Sequence, residues 1–242
     1  MREAARMNRL LVISLIALFG AVLGNAHTVW ASGDAWTEQF DEEQNWTLPH
    51  TTVIIDVGHG GIDGGASHGA TLEKDINLVI ASKLYLILRS QGVPAIMNRT
   101  GDYALSEENR WHNTRSRHRK DLSQRRQLTE EIGSELLVSL HVNAARNHSK
   151  RGPLVLHQEA GESALLAFCL QDALNRQQAA ATLPRLGEPF YLLRRVDQPS
   201  VIIEMGFISN AEDRAMLTDA AKQNEIAHAI ASGIRQYKWI AH

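Results

Sequence analysis

The chain has 242 residues, enough for one α/β domain with a substantial core at roughly 150 residues per domain. Hydrophobic residues make up 44% and charged residues 21%, close to globular averages, which excludes disordered and fibrous classes. A formal net charge of -2 argues against a protein that coats nucleic acid, which calls for a strongly basic domain.

The chain opens with Arg2, Arg6 and Arg9, then a largely apolar stretch from Leu10 to Leu23, then Gly24-Asn25-Ala26. Basic, apolar, small-x-small is the pattern of an export signal, assigned here to residues 1–26. The apolar stretch is shorter than the ~20 residues that span a bilayer, so a cleaved signal is favoured over a retained anchor. Either form sends the domain outside the cytoplasm, with membrane contact only through this segment. Residues 27–50 carry three tryptophans and several acids without a clear period and read as a linker, leaving 51–242 as the domain.

Thr51–Val57 is an apolar, β-branched run that ends in a glycine-rich loop and reads as a buried parallel strand. Helical spacing of Ile76, Val79, Ile80, Leu84, Ile87 and Leu88 predicts a helix over Leu72–Ser90, with Thr71 as N-cap and Gly92 as stop. Val93–Met97 reads as a strand, Asp121–Ile132 as a helix and Leu136–Leu140 as a third strand. Leu154–Leu156 and Phe190–Leu193 are shorter strand candidates around a helix from about Ser163 to Gln178. Val201–Ile203 is the last strand, followed by helices over Ala211–Leu217 and Ala221–Tyr237. This alternation predicts a single α/β domain with a mostly parallel, roughly six-stranded twisted sheet flanked by helices on both faces.

Ligands of such sheets gather at the carboxyl ends of the strands. Three apolar runs end there in an ionisable group: Asp56-Val57-Gly58-His59, Ser139-Leu140-His141 and Ile202-Ile203-Glu204. Taken singly, each is an ordinary polar strand end; taken together, they mark a site. Glu73, in the first turn of the helix after the glycine loop, can point to the same end. Two histidines and a carboxylate form a catalytic zinc set, His59, Glu73 and His141, with a fourth position open. Glu204, placed after Val-Ile-Ile, is a buried carboxylate that needs a proton, a metal or a partner, and stands nearby without binding the ion. Gly58-His59-Gly60-Gly61-Ile62-Asp63 has Asp63 where a dinucleotide fingerprint needs its last glycine, and no phosphate-loop Lys follows. The lone Cys169 sits among Leu165, Leu166, Phe168 and Leu170 and reads as a packing residue, which also excludes an intramolecular disulfide and a thiolate cluster.

These residues resemble the zinc-dependent N-acetylmuramoyl-L-alanine amidases in four places. The matching stretches are Asp56-Val57-Gly58-His59-Gly60-Gly61-x-Asp63-x-Gly65-Ala66, Leu72-Glu73-Lys74-Asp75-x-Asn77-Leu78, Ser139-Leu140-His141-x-Asn143-Ala144 and Ile203-Glu204-x-Gly206-Phe207-Ile208-Ser209-Asn210. The resemblance implies one catalytic Zn²⁺ on His59, Glu73 and His141, Glu204 as acid and base, and hydrolysis of the amide between the lactyl group of muramic acid and L-alanine in peptidoglycan. Leu122-x-x-Arg125 looks like the family's arginine-bearing helix, and Val57 stands where the family usually has proline. Asn143, Arg125 and His68 are candidate substrate contacts, and Asp63 a brace of the loop. A catalytic domain behind an export segment, without wall-binding repeats, is most similar to the germination-specific members that act in spore-cortex maturation. That likeness implies peptidoglycan as substrate, an extracytoplasmic location, an accessory wall protein or lipoprotein as a possible partner, and no nucleic acid. The rival readings are a zinc peptidase or carboxypeptidase acting on wall peptides, and an inactive wall-binding protein. The basic stretch around Arg110, Arg115, Arg117, Arg119, Lys120, Arg125 and Arg126 reads as a solvated loop in preference to a functional patch.

Overall fold

A computed structural model describes residues 51–107 and 114–241. The expected signal and linker, residues 1–50, and part of the basic stretch, including Arg110 and His112, lie outside the described residues.

The first strand, β1 (Thr51–Val57), is buried along its whole length, as expected of a strand covered on both faces. The glycine loop and a two-residue hairpin, β2 (Ser67–His68) and β3 (Thr71–Leu72), lead into helix α1 (Glu73–Ser90). After α1 come β4 (Ala95–Met97), a 3₁₀ turn (Leu105–Glu107), α2 (Arg117–Ile132) and β5 (Ser134–Asn143). The remainder runs β6 (Leu154–His157), α3 (Gly161–Gln178), β7 (Arg185–Leu186), α4 (Tyr191–Arg195), β8 (Ser200–Phe207), α5 (Ala211–Thr218) and α6 (Ala220–Ala241). The six-stranded sheet has the order β4-β1-β5-β8-β6-β7. Every neighbouring pair is parallel except β6 with β8.

The path through this sheet dictates where a crevice forms. The chain leaves β1 through α1 to reach β4 on one side, then returns through α2 to β5 on the other side of β1. Right-handed crossovers in opposite directions put α1 and α2 on opposite faces, and the crevice opens beyond the carboxyl ends of β1 and β5, where the direction reverses. The larger core packs Val53, Ile55, Leu136, Val138, Leu140, Val201 and Ile203 against α1, α3 and α6. On the opposite face Ile54 and Leu137 meet Leu122 of α2 and Leu192 of α4. Cys169 is buried in the larger core, as its neighbours predict. Among the described residues no helix is long and apolar enough to cross a membrane.

Four local expectations need correction. Phe190–Leu193 is no strand: Tyr191–Arg195 is helical, burying Leu192 and Leu193, and the sixth strand is the two-residue Arg185–Leu186. A short apolar run has too few residues to reveal its period. Thr71 does not cap α1, because it pairs in β3; the Glu73 and Lys74 N–H groups donate instead to the Ala66 and Gly64 carbonyls. The basic stretch is not wholly loop, since Ser116 caps α2 by accepting from the Arg119 N–H and the helix begins at Arg117. Finally, β5 and β8 run past His141 and Glu204 to Asn143 and Phe207, so neither residue is a strand terminus.

Candidate metal centre

Side chains alternate across a sheet, so parity decides which residues share a face. In β1, Val53, Ile55 and Val57 point to the larger core, which sends Asp56 to the other face. In β5, Leu136, Val138, Leu140 and Val142 do the same, sending Ser139 and His141 to the face of Asp56. In β8, Val201, Ile203 and Met205 leave Glu204 on that face too. Register aligns them: Asp56 opposes Ser139, and His141 opposes Glu204. Neighbouring strands lie about 4.8 Å apart, so His141 and Glu204 stand side by side.

His59 and Glu73 arrive from above this ladder. The His59 and His141 rings meet edge to face with centroids 5.0 Å apart. Glu73 Oε1 lies 3.1 Å from His59 Nε2 and 2.9 Å from His141 Nδ1. Among the described residues, His59, Glu73 and His141 form a group whose ligand atoms all lie within 4.8 Å of one another. Glu73 is further fixed by the Ala66 N–H on Oε2 and the Val142 N–H on Oε1, at 2.7 and 3.0 Å. His59 Nδ1 lies 2.9 Å from Asp63 Oδ2, and Asp63 Oδ1 accepts the Gly65 N–H, so Asp63 both orients the ring and braces the loop.

The glycines leave room for these groups. A Cβ at Gly58 would sit 2.5 Å from His141 Cε1, and one at Gly65 would sit 2.5 Å from Glu73 Oε2 and 2.7 Å from His59 Cδ2. His59 itself has a positive φ of 61°, an uncommon setting for a residue with a Cβ and one that clusters at functional sites. The donor set fits a metal: two imidazoles and a hard oxygen, preorganised by backbone and carboxylate partners.

The electrostatics follow from those contacts. Burial opposes a charge on His59, yet the bonds to Glu73 and Asp63 outweigh it and raise its pKa to about 9. Burial pushes Glu73 toward the acid form, but the two imidazoles prevail and hold it far below the usual carboxylate range. Glu204 has no such compensation: burial raises its pKa, Glu73 adds to the rise, and His141 and His59 only partly oppose it. Its Oε2 is buried and has no hydrogen-bond partner among the described residues. A carboxyl group in that condition is suited to taking and returning a proton.

Residues 53–236 match the family model described as N-acetylmuramoyl-L-alanine amidase. The chain belongs to that family. This amidase is 33% identical over 212 residues to the germination-specific N-acetylmuramoyl-L-alanine amidase of Bacillus subtilis, covering 86% of each chain. Its fold matches the CwlD amidase from Clostridioides difficile, solved in complex with the GerS lipoprotein, with a TM-score of 0.74 at 34% identity over 79% of this chain and 100% of that one. The catalytic domain of CwlV, an amidase from Bacillus (Paenibacillus) polymyxa, matches with a TM-score of 0.68 at 28% identity over 78% and 99% of the two chains. The enzyme is therefore an N-acetylmuramoyl-L-alanine amidase acting on cell-wall peptidoglycan, in a family that depends on zinc.

The three candidate substrate contacts of the amidase fall in different places. Arg125 turns inward: it is 4% exposed, and its guanidinium donates to Asp121, Asp56, the Val57 carbonyl and the His59 carbonyl. Asn143 accepts the Ala144 N–H at 2.8 Å with its side-chain oxygen. His68 is exposed on the β2–β3 hairpin between the glycine loop and α1.

Sequence reasoning missed a second set of residues that bind the loop. Asn98 accepts the Val57 N–H at 2.8 Å and donates to Asp56, which also takes a bond from the Ser139 hydroxyl. Arg99 and Asp102, in the same turn after β4, hold the backbone on either side of His59. The signal available was the polar run Asn98-Arg99-Thr100-Gly101-Asp102 directly after a strand, at the sheet end where the other site residues gather.

Proposed function

We propose that His59, Glu73 and His141 hold one Zn²⁺ and that Glu204 is the acid and base of amide hydrolysis. The unpartnered, buried Glu204 carboxyl beside the His-Glu-His group is the observation that carries this reading. Zinc in such a site supplies a Lewis acid that polarises the carbonyl and acidifies water. Glu204 accepts a proton from the attacking water as the water oxygen bonds to the lactyl carbonyl carbon. The carbon–nitrogen bond to L-alanine then breaks, and Glu204 returns the proton to the departing nitrogen. One carboxyl group thus serves twice, and the enzyme ends as it began. Asp63 holds the His59 ring in the ligating orientation, while His68 and Asn143 are proposed to face the muramyl peptide.

The biological setting proposed is spore-cortex maturation, in which peptide removal from muramic acid permits muramic lactam formation. The likeness to the germination-specific amidase of Bacillus subtilis supports this, as it extends over 86% of both chains. The likeness to CwlD, whose solved complex contains a lipoprotein, supports an accessory lipoprotein partner for this chain as well. Both likenesses support an extracytoplasmic setting, in line with the export signal expected at residues 1–26.

Digestion of purified peptidoglycan, with fragments read by mass, tests reaction and metal together. The expected products are peptide-free muramic glycan and stem peptides with a free L-alanine amine, lost on chelation and restored by Zn²⁺. Cleavage only between amino acids would move the assignment to a wall peptidase, and zinc-loaded protein without turnover would move it to a binding role.

A further inference from the structure

The loop that carries His59 is mostly glycine, so its shape depends on what grips its backbone. Much of that grip comes from the turn after β4. Arg99 is 1% exposed, and its guanidinium is spent on backbone carbonyls. Nε donates to the Val57 carbonyl at 3.2 Å, Nη1 to Gly101 at 2.9 Å, and Nη2 to Gly58 at 3.1 Å and Lys74 at 2.8 Å. Burying a guanidinium against carbonyls, without a carboxylate in bonding contact, is costly, so its placement calls for an explanation.

The identity of those carbonyls supplies it. Gly58 immediately precedes His59, and Lys74 immediately follows Glu73. One planar side chain therefore ties the residue before one candidate ligand to the residue after another, across two separate elements. The loop passes close to this turn: a Cβ at Gly60 would lie 2.3 Å from the Tyr103 carbonyl oxygen and 3.1 Å from Arg99 Cδ and Nε. Asp102 closes the outer end of the loop. Its Oδ1 accepts the Gly61 N–H at 2.8 Å, and its Oδ2 lies 2.6 Å from Lys74 Nζ, which in turn donates to the Gly61 carbonyl at 2.8 Å.

We propose that Arg99 and Asp102 are positioning residues that fix the His59 turn against the start of α1, and thereby set how tightly the His59–Glu73–His141 site holds zinc. This rests on the metal reading given above. Neither residue contacts a proposed ligand side chain; Arg99 acts through backbone carbonyls, and Asp102 through the Gly61 N–H and the Lys74 ammonium. A lysine at 99 keeps the charge, but a compact ammonium on a flexible stem cannot span carbonyls that a rigid fork reaches together.

The test is zinc affinity by competition with a chromophoric chelator, on the full protein and on Arg99→Lys, Asp102→Ala and Gln171→Leu. Gln171 is a buried amide bound to the Val155 N–H and the Pro153 carbonyl, so its loss is a stability control in β6 and α3. Loss of an outer partner typically weakens metal binding by about 10- to 100-fold, and that is expected for Arg99→Lys, with about tenfold for Asp102→Ala. The visible spectrum of the cobalt-substituted protein should change in Arg99→Lys and not in Gln171→Leu, while Gln171→Leu lowers only the thermal midpoint. Zinc affinity of Arg99→Lys equal to that of the unaltered protein overturns the proposal, as does an equal loss in Gln171→Leu. Should Arg99→Lys fail to fold, Asp102→Ala decides, because Asp102 has a half-exposed side chain and unchanged affinity there overturns the proposal equally. An unaltered protein that binds no zinc overturns the metal reading itself, a result distinct from either of these.

Discussion

Glu204 and the candidate ligands it faces should be separable in function, because the carboxyl is placed by β8 and bonds to none of the residues that hold His59 and Glu73 together. Glu204→Gln keeps the shape and removes the titrating group. It should leave zinc stoichiometry unchanged and lower turnover by about 10²–10⁴-fold, the usual worth of a positioned acid and base. Metal analysis and fragment release on the same sample read both quantities. Gly65→Ala should do the reverse. Its φ of +66° is unfavourable to any side chain, and the added methyl would fall 2.5 Å from Glu73 Oε2, so zinc loss is expected before any effect on Glu204. Of the four candidate site residues, His59, His141 and Glu204 are conspicuous in the sequence because each follows closely on an apolar run, and Glu73 because it lies in the first helical turn after the glycine loop. Arg99, Asn98 and Asp102 are harder to read: the polar run after β4 marks their position, but their partners include backbone groups of a loop 40 or so residues away, and no sequence pattern marks a carbonyl as needing a donor. Arg125 reads from the sequence as a candidate substrate contact within a solvated basic stretch, whereas its guanidinium turns inward. Its burial depends on Asp56, a partner 69 residues distant.

At the level of elements, the strands and long helices followed from period and composition, and the errors concentrate where tertiary partners overrule local preference. Thr71 has the chemistry of an N-cap, yet α1 is capped by carbonyls of the loop that folds back onto it. Glu204 was placed at a strand end because Ile202-Ile203 is the apolar run, whereas β8 continues through Met205, Gly206 and Phe207 beside β5. The antiparallel partner β6 had no marker, because a four-residue strand carries no sign of its direction. Helix α2 has a basic first turn, Arg117, His118, Arg119 and Lys120, at the end where the helix dipole favours negative charge. Its start therefore depends on Ser116, whose hydroxyl accepts the Arg119 N–H at 3.3 Å. Ser116→Ala should cost about 0.5–1 kcal/mol, the lower part of the range for cap removal. Denaturant unfolding measures it, and because α2 delivers Arg125 to Asp56 and the His59 carbonyl, the same variant should also bind zinc less tightly.

For the molecule as a whole, the same contacts should make stability depend on pH differently with and without zinc. In the metal-free protein, Glu73 and Asp63 raise His59 from 6.5 to about 9. A raised histidine contributes stability that is fully present below its unfolded pKa and is lost as pH climbs through about 9. Asp56 is held below its ordinary value because Arg125 and Ser139 outweigh the cost of burial, and Glu73 is lowered by the two imidazoles. Their contribution is present above the unfolded carboxylate pKa and disappears as pH falls through the lowered values. The metal-free enzyme should thus lose stability as pH rises from about 6.5 to about 9, and again in strong acid. Zinc requires His59 without its extra proton, so each uptake near neutrality must release it, and affinity should rise by about tenfold per pH unit until His59 has titrated. The gap in thermal midpoint between zinc-loaded and stripped protein should accordingly widen from pH 6 to pH 9 and then level off. Parallel thermal scans across that range check this, with proton release measured by calorimetry in buffers of different ionisation enthalpy. A gap that stays constant while zinc remains bound would mean that His59 is not a ligand.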